Sequence, residues 1–457
     1  GVYSGPGVTD DGNGMTYSFD PMAAGAGTHT ITYTYTDENG CASSAMDDVE
    51  VFDLPVVSFT ALADLCIDAG VQAAQGGGTP TGGVYSGPGV TDNGNGMDYN
   101  FDPAAAGVGV HTITYTFTDA NGCTNSATDD IEVFVVPTVI FTAPADVCID
   151  AGVQTALGGG TPTGGIYSGP GVTDDGNGMT YSFDPAAAGI GVHTLTYTFT
   201  DANGCSASAT DNIEVFALPT VTFTAPADLC IDAGVQVGLG GGTPTGGVYS
   251  GPGVTDDGNG MTYSFDPAAA GVGVHTLTYT FTDANGCTNS ASDDVEVFAL
   301  PTVTFTAPAD LCVDAGVQAG LGGGTPTGGV YSGPGVTDDG NGMTYSFDPA
   351  AAGVGVHTLT YTFTDGNGCT NSASDDVEVF ALPVVAFTAP ADLCVDAGVQ
   401  AGLGGGTPTG GVYSGPGVTD DGNGMTYSFD PAAAGVGVHT LTYTFTDGNG
   451  CTNSASD

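Results

Sequence analysis

Lysine, arginine and tryptophan are absent from the 457 residues of this sequence, whereas aspartate and glutamate together number 51. The formal net charge is -51, and the carboxylates have no lysine or arginine with which to form internal salt bridges. Without lysine, a P-loop, a Schiff base and an isopeptide crosslink are also excluded. A polyanion repels nucleic acids and anionic membrane surfaces. We therefore expect divalent cations as partners, and no nucleic acid.

Long hydrophobic runs and catalytic motifs are absent as well. No apolar stretch is long enough to cross a bilayer, so we expect no membrane insertion. Neither HExxH nor GxSxG occurs, and the Gly-rich GGGTP stretch lacks the lysine of a phosphate-binding loop. The six histidines stand alone at the start of a predicted strand, and we interpret them as structural: His29, His111, His193, His275, His357 and His439. The sequence therefore predicts no enzyme activity.

A tandem repeat organises the whole sequence. The segment GVYSGPGV, or a near copy, recurs at one constant interval and starts at Gly1, Gly83, Gly165, Gly247, Gly329 and Gly411. A unit of this length can enclose its own small core, so each repeat is predicted to be a domain. The predicted domains are a partial repeat at 1–54, whole repeats at 55–136, 137–218, 219–300 and 301–382, and a repeat with a truncated last strand at 383–457.

Within one repeat, short alternating segments predict strands. Repeat 219–300 contains TVTFT, VQVGL, VYS, a returning PGVTDDGNG segment, MTYSF, HTLTYTFT and DVEVF, separated by Gly, Pro, Asn and Asp. Only Pro267–Ala270 suggests a brief helix. About seven strands with frequent turns predict an all-β fold, with tandem immunoglobulin-like sandwiches arranged end to end as a rod. The Ala-Leu-Pro junctions limit hinge motion.

The cysteines, eleven in all, recur in a fixed rhythm. A shorter gap, as from Cys41 to Cys66, alternates with a longer one, as from Cys66 to Cys123. This spacing favours a disulfide framework over a zinc site and predicts an oxidising, extracellular location.

A bridge within one domain is the familiar expectation. In a seven-strand sandwich, however, the two cysteines of a repeat lie at opposite poles, about 20 Å or more apart, whereas a disulfide needs Cα atoms within about 7 Å.

Stacked domains bring the far pole of one repeat to the near pole of the next. We therefore predict bridges between neighbouring repeats, with Cys41, Cys123 and Cys394 pairing outside this sequence. The predicted pairs are Cys66 with Cys205, Cys148 with Cys287, Cys230 with Cys369, and Cys312 with Cys451.

The TDDGNG loop is the best candidate for a ligand site, because calcium prefers several oxygens from a short flexible loop. The alternative is an ordinary turn in which Asp and Asn occupy backbone conformations that they favour. The uncompensated charge favours calcium slightly. The candidate ligands are Asp10, Asp11, Asn13, Asp92, Asn93, Asn95, Asp174, Asp175, Asn177, Asp256, Asp257, Asn259, Asp338, Asp339, Asn341, Asp420, Asp421 and Asn423.

Two other features each have a structural and a functional interpretation. Asp228 and Asp232 flank Cys230, and Asp283 and Asn285 precede Cys287, so these groups could share a cation across a junction; we favour solvated turns. The threonine row of HTLTYTFT could face ice or a glycan, but such a row is more often the solvent side of a strand.

The motifs GGTPTGGVYSGPGV, FDPAAAGVGVHTLTYTFTDANGC and CIDAG resemble the Ig-like and PKD-like repeats of large surface proteins and gliding-type adhesins of Bacteroidota. The resemblance covers every repeat, and it implies export to the cell surface and a role as a stalk, fibre or adhesin. Together with the near-identity of the repeats, it favours a structural stalk or filament whose partners are copies of itself or neighbouring repeats. The alternative is an adhesin whose repeats bind surface glycans or another ligand.

Overall fold

The computed structural model describes all residues, Gly1–Asp457. The chain divides into two compact units, Gly1–Leu218 and Pro219–Asp457. Strands dominate both units, and each of the six helices is a single turn of four residues. None of these helices is long enough to cross a membrane.

Two long strands form the centre of each repeat. The first long strand spans Gly27–Thr36, Gly109–Thr118, Gly191–Thr200, Gly273–Thr282, Gly355–Thr364 and, in shorter form, Thr442–Thr446. The second long strand spans Ala42–Val51, Thr124–Phe134, Ser206–Phe216, Thr288–Phe298, Thr370–Phe380 and, in shorter form, Thr452–Ser456. They pair antiparallel along their whole length, as Gly273 with Val297 and Thr282 with Thr288 show.

Short elements surround this hairpin. A two-residue strand spans Leu65–Cys66, Val147–Cys148, Leu229–Cys230 and Leu311–Cys312. The next strand spans Gln72–Gln75, Gln154–Leu157, Gln236–Leu239, Gln318–Leu321 and Gln400–Leu403. Three-residue strands follow at Val2–Ser4, Val84–Ser86, Ile166–Ser168, Val248–Ser250, Val330–Ser332 and Val412–Ser414. Others lie at Val8–Asp10, Val90–Asp92, Val172–Asp174, Val254–Asp256, Val336–Asp338 and Val418–Asp420, and at Tyr17–Phe19, Tyr99–Phe101, Tyr181–Phe183, Tyr263–Phe265, Tyr345–Phe347 and Tyr427–Phe429. The helices are Pro21–Ala24, Pro103–Ala106, Pro185–Ala188, Pro267–Ala270, Pro349–Ala352 and Pro431–Ala434.

These strands form two sheets per complete repeat. In repeat 219–300 the four-stranded sheet has the order Leu229–Cys230, second long strand, first long strand, Val248–Ser250. The three-stranded sheet has the order Gln236–Leu239, Tyr263–Phe265, Val254–Asp256. All pairs are antiparallel except that of Leu229–Cys230 with the second long strand. The predicted fold class, a tandem array of immunoglobulin-like sandwiches, is confirmed.

Seven strands per repeat agree with the predicted number, but two of the predicted positions are wrong. TVTFT makes only an isolated bridge, at Thr222, opposite Thr243. The segment between TVTFT and VQVGL, expected as a turn, instead contains the strand Leu229–Cys230. The returning segment, counted among the seven predicted strands, does begin with a strand, Val254–Asp256. The brief helix is confirmed: Asp266 accepts hydrogen bonds from the backbone N–H groups of Ala268 and Ala269, and proline occupies the first turn.

Aromatic side chains fill the core of each repeat. In repeat 219–300 the ring centroid of Tyr249 lies 4.5 Å from those of both Tyr263 and Tyr279, and 5.8 Å from that of Phe223. Tyr263 and Tyr279 are fully buried. There are five such clusters, and each draws its residues from one predicted repeat, so each of the five repeats from residue 55 onward has a core of its own.

The Gly-rich turn is required by the Tyr279 ring. A Cβ atom at Gly242 would lie 2.6 Å from that ring, and one at Gly247 would lie 2.4 Å from the carbonyl oxygen of Thr280. The Tyr279 hydroxyl donates to the Pro244 carbonyl at 2.5 Å and accepts from the Gly247 N–H at 2.8 Å. The GGGTPTGG segment is therefore held closely against the core.

The two buried tyrosines of a repeat provide a matched pair of substitutions. Replacing the four hydrogen-bonded tyrosines by phenylalanine (Tyr197, Tyr279, Tyr361 and Tyr443) removes the partner of a buried glycine N–H and of a partly buried proline carbonyl in each repeat. We expect the free energy of unfolding to fall by about 1–3 kcal/mol per repeat in urea titrations. The control replaces Tyr181, Tyr263, Tyr345 and Tyr427, whose buried hydroxyls have no partner. Equal losses in both variants would contradict this account.

Candidate functional site

The joints between successive repeats carry disulfides. The structure joins Cys66 to Cys205 in the first unit, and Cys230 to Cys369 and Cys312 to Cys451 in the second. The Cα atoms of each pair lie 5.5–5.6 Å apart, and each bond spans 139 residues of sequence. Every bond therefore links the first cysteine of one repeat to the second cysteine of the next.

Both ends of such a bond are fixed by the backbone. Beside Cys230, the two-residue strand pairs with the second long strand, and the N–H of Ile231 donates to the Phe298 carbonyl at 2.9 Å. The partner, Cys369, lies in a tight turn in which Oδ1 of Asp365 accepts from the backbone N–H groups of Asn367 and Cys369, both at 2.9 Å. The sequence Asp-x-Asn-Gly-Cys thus positions the second cysteine before it meets the first.

In each disulfide, one of the two cysteines is shielded from solvent. Cys205, Cys369 and Cys451 are buried, and their partners are half-buried. Thiol–disulfide exchange requires access to a sulfur atom, so this burial slows reduction. Disulfides of this kind persist in oxidising environments. The chain is an extracellular protein, as the sequence predicts.

The remaining cysteines were part of the same prediction. The pair Cys148 with Cys287 stays a prediction. Cys41 and Cys394 are exposed free thiols, and Cys123 is a half-buried one.

The acidic loops are organised as turns in the structure. Asp256 accepts from the N–H of Tyr249 at 3.0 Å and from the N–H of Gly258 at 2.9 Å, one bond to each carboxylate oxygen. Oδ1 of Asn259 accepts from the N–H groups of Met261 and Thr262, both at 2.8 Å. The same Asx-type turns recur in the other repeats.

The second aspartate of the loop also has internal partners. Asp257 accepts from the hydroxyls of Thr262, at 2.6 Å, and of Ser264, at 3.4 Å. In the first repeat, hydrogen bonds from the backbone N–H groups of Tyr3 and Gly12 hold the pKa of Asp10 below its ordinary value. No group of three or more His, Cys, Asp or Glu side chains converges in a way that could hold a metal ion.

The other acidic groups flank the disulfides and bind backbone N–H groups. Asp228 accepts from the N–H of Glu296 at 2.8 Å, and Asp283 accepts from those of Asn285 and Cys287. Asp232 is exposed and lies outside these contacts. The geometry therefore gives Asp228 and Asp283 a local structural role.

The histidines and threonines also have local partners. Nε2 of His275 lies 2.8 Å from the Gly271 carbonyl oxygen, at the end of the helix, and the other five histidines repeat this contact. On the outer face of the four-stranded sheet, Thr276 donates to Asp294 at 2.7 Å, and the Thr278 and Ser292 hydroxyls pair at 2.9 Å. We call this surface the hydroxyl face.

No protein-family model matches the chain. Among characterised proteins, it is 29% identical over 385 residues to Hyalin of Strongylocentrotus purpuratus, covering 78% of this chain and 30% of that protein. It is 28% identical over 330 residues to Hyalin of Lytechinus variegatus, covering 68% of this chain and 60% of that protein. The chain thus spans less than two thirds of either relative, and neither relative comes from the Bacteroidota.

Solved structures show only distant likeness. One is an adhesin described as Ca2+-stabilized that helps an Antarctic bacterium bind ice, with 17% identity and a TM-score of 0.28 over 83% of this chain and 99% of that one. Another is Drosophila N-cadherin EC1-4, with 13% identity and a TM-score of 0.21 over 70% of this chain and 98% of that one. TM-scores this low support no argument about function.

Peptide mapping tests the pairing at all joints. Trypsin has no cleavage site in this chain, so the oxidised protein should be digested with pepsin at acidic pH, where thiol–disulfide exchange is slow because thiolates are scarce. We expect linked peptides for Cys66–Cys205, Cys230–Cys369 and Cys312–Cys451, and also for Cys148–Cys287. A peptide that joins Cys230 to Cys287 would contradict the assignment between neighbours.

Proposed function

We propose that this chain is a segment of an extracellular stalk or filament, in which near-identical immunoglobulin-like domains follow one another as a rod. It acts as a spacer rather than as an enzyme. Its partners are neighbouring repeats, further copies of the chain and cations of the medium.

The recurrence of one joint carries this proposal. The disulfides Cys66–Cys205, Cys230–Cys369 and Cys312–Cys451 connect equivalent cysteines with nearly the same Cα separation, in both units of the chain. A structural array needs the same connection many times, whereas a binding protein needs one specialised domain. In the chain-entropy description, closing a loop of 139 residues stabilises the folded array by about 5 kcal/mol per bond.

Electron microscopy of the whole oxidised chain tests the rod. We expect beaded, extended particles that advance by about 30–45 Å per repeat, the length of strands of five to eight residues with their end loops. Reduction and alkylation should increase the bending between beads without removing the beads, because each repeat has its own core. Compact globules under oxidising conditions would argue against a rod.

An adhesin is the second candidate, and the hydroxyl face favours it. This face repeats in successive domains and presents threonine and serine side chains to solvent. Most of the hydroxyls, however, already bond to the neighbouring strand. A glycan array separates the two functions, since a pure spacer gives no selective signal.

Calcium binding by the acidic loops is the other part of the proposal. The net charge of -51 supports it, because bound cations would relieve repulsion among carboxylates in the folded state. Each loop brings two carboxylates and an amide, or one carboxylate and two amides in repeat 55–136, close together in sequence. The turn hydrogen bonds leave each carboxylate oxygen further acceptor capacity for a cation.

Thermal melting with and without a chelator tests calcium binding. If the loops bind calcium, chelation should lower the melting temperature, and calcium should restore it where sodium at equal ionic strength does not. Replacing Asp175, Asp257, Asp339 and Asp421 by asparagine should abolish this response. The control makes the same charge change at Asp150, Asp232, Asp314 and Asp396, which are exposed outside the loops. An unchanged melt in chelator would mean that the loops are only turns.

A further inference from the structure

The residue that follows each acidic loop is a methionine with an exposed side chain. Met261 is 56% exposed, and the equivalent residues of the other repeats from residue 55 onward are 56–60% exposed: Met97, Met179, Met343 and Met425. We call these five the loop methionines. None of the five core clusters contains a methionine. The thioether at this position therefore belongs to no core, is open to solvent and recurs in successive repeats.

The backbone of a loop methionine is fixed, although its side chain is free. The N–H of Met261 donates to Oδ1 of Asn259 at 2.8 Å, and its carbonyl accepts from the Tyr249 hydroxyl at 3.1 Å. The same two contacts hold the other loop methionines. Tyr249 is a core residue, so the main chain anchors the end of the loop to the core. The position of the loop therefore does not depend on the methionine side chain.

This arrangement suits a side chain that changes its chemistry. An accessible methionine sulfur is oxidised to a sulfoxide, and in a core this conversion of an apolar side chain into a polar one disrupts packing. Outside the core, that cost is absent. Other oxidisable side chains are protected, since tryptophan is absent, Tyr263 and Tyr279 are buried, and the cysteines of the joints are already paired as disulfides.

Carboxylates beside the loop methionine select among oxidants. Asp257 accepts from the hydroxyl of Thr262, the residue after Met261, at 2.6 Å, and its N–H donates to the Thr262 carbonyl at 3.2 Å. No lysine or arginine offsets this negative charge. A negative field lowers the local concentration of anions and leaves that of neutral molecules unchanged. Neutral oxidants such as hydrogen peroxide therefore reach the sulfur more readily than anionic ones.

We propose that the loop methionines are oxidation sites, through which the array consumes neutral peroxides while its fold and its joints stay intact. The sulfur of Met261 donates an electron pair to one oxygen of hydrogen peroxide, the O–O bond breaks and a sulfoxide forms. The proton of the transferred hydroxyl passes to the departing hydroxide, which leaves as water. Sulfur loses two electrons and the peroxide gains them. This activity does not depend on the proposed rod.

Site-resolved oxidation of the full chain tests the proposal. The free thiols are first blocked with N-ethylmaleimide, and hydrogen peroxide is then added at neutral pH with a chelator present, so that no bound cation masks the carboxylates. Mass spectrometry of peptic fragments gives the rate at each loop methionine, with N-acetylmethionine amide as the reference. We expect rates within about fivefold of the reference, because solvent reaches each sulfur. Slower rates at these sites would overturn the proposal.

A variant with all five loop methionines replaced by leucine provides the control for stability. Leucine keeps an apolar side chain of similar size and is not oxidised. After complete oxidation, we expect the original chain and this variant to keep the same melting temperature, and peptide mapping to find the same disulfides in both. The variant should consume less peroxide, by one molecule for each methionine replaced. A lower melting temperature in the oxidised original chain alone would overturn the proposal.

An anionic oxidant tests the role of the carboxylates. Relative to the reference, peroxymonosulfate should react at least about twofold more slowly at the loop methionines than hydrogen peroxide does, and added salt should remove the difference. The test variant replaces the second aspartate of the loop by asparagine, at Asp175, Asp257, Asp339 and Asp421. The control variant makes the same change outside the loops, at Asp150, Asp232, Asp314 and Asp396. The first variant should lose more of the difference than the second. Equal relative rates for both oxidants on the original chain would contradict the selection of neutral peroxides.

Discussion

The absence of any lysine or arginine governs how this chain holds itself together. Its carboxylates cannot pair with basic side chains, so they accept hydrogen bonds from backbone N–H groups instead. Asp266 does so at the start of a helix, Asp256 and Asp283 in turns, and Asp228 between strands. Such charge-assisted hydrogen bonds stabilise turns and strand pairs. They form only between segments that are already in contact, so they do not bring distant parts of the chain together. Cohesion over longer distances must come from aromatic burial and from covalent bonds.

Aromatic burial and disulfides act at different scales. The stacked tyrosines hold the two sheets of a single repeat together, and each core is complete within its repeat. The disulfides act between repeats, where a polyanion would otherwise repel itself. Because the bond is covalent, it resists that repulsion at any ionic strength, whereas an ion pair would weaken as salt is added.

The first segment of a repeat connects these two scales. In residues 55–66, Phe59 completes the core of its own repeat and Cys66 bonds to the next one. Folding of a repeat thus positions the cysteine that bonds to the next repeat. The hydrogen bond from the N–H of Glu132 to Asp64 holds the segment between Phe59 and Cys66 against the second long strand.

Much of the organisation follows from the sequence alone. The constant spacing of the GVYSGPGV segments defines the repeats, alternation of Thr with Leu, Tyr and Phe marks the first long strand, and strand count places the two cysteines of a repeat at opposite poles. These patterns depend only on residue type and spacing, so they can be recognised from the sequence.

Only the tertiary structure decided that TVTFT forms a single bridge, because its pairing depends on Thr243 in a distant turn. It also decided that the oxygens of Asp256 and Asn259 bind their own turn, and that Gly242 is needed beneath the Tyr279 ring. Each of these depends on which groups meet in space, and residue type and spacing do not specify that.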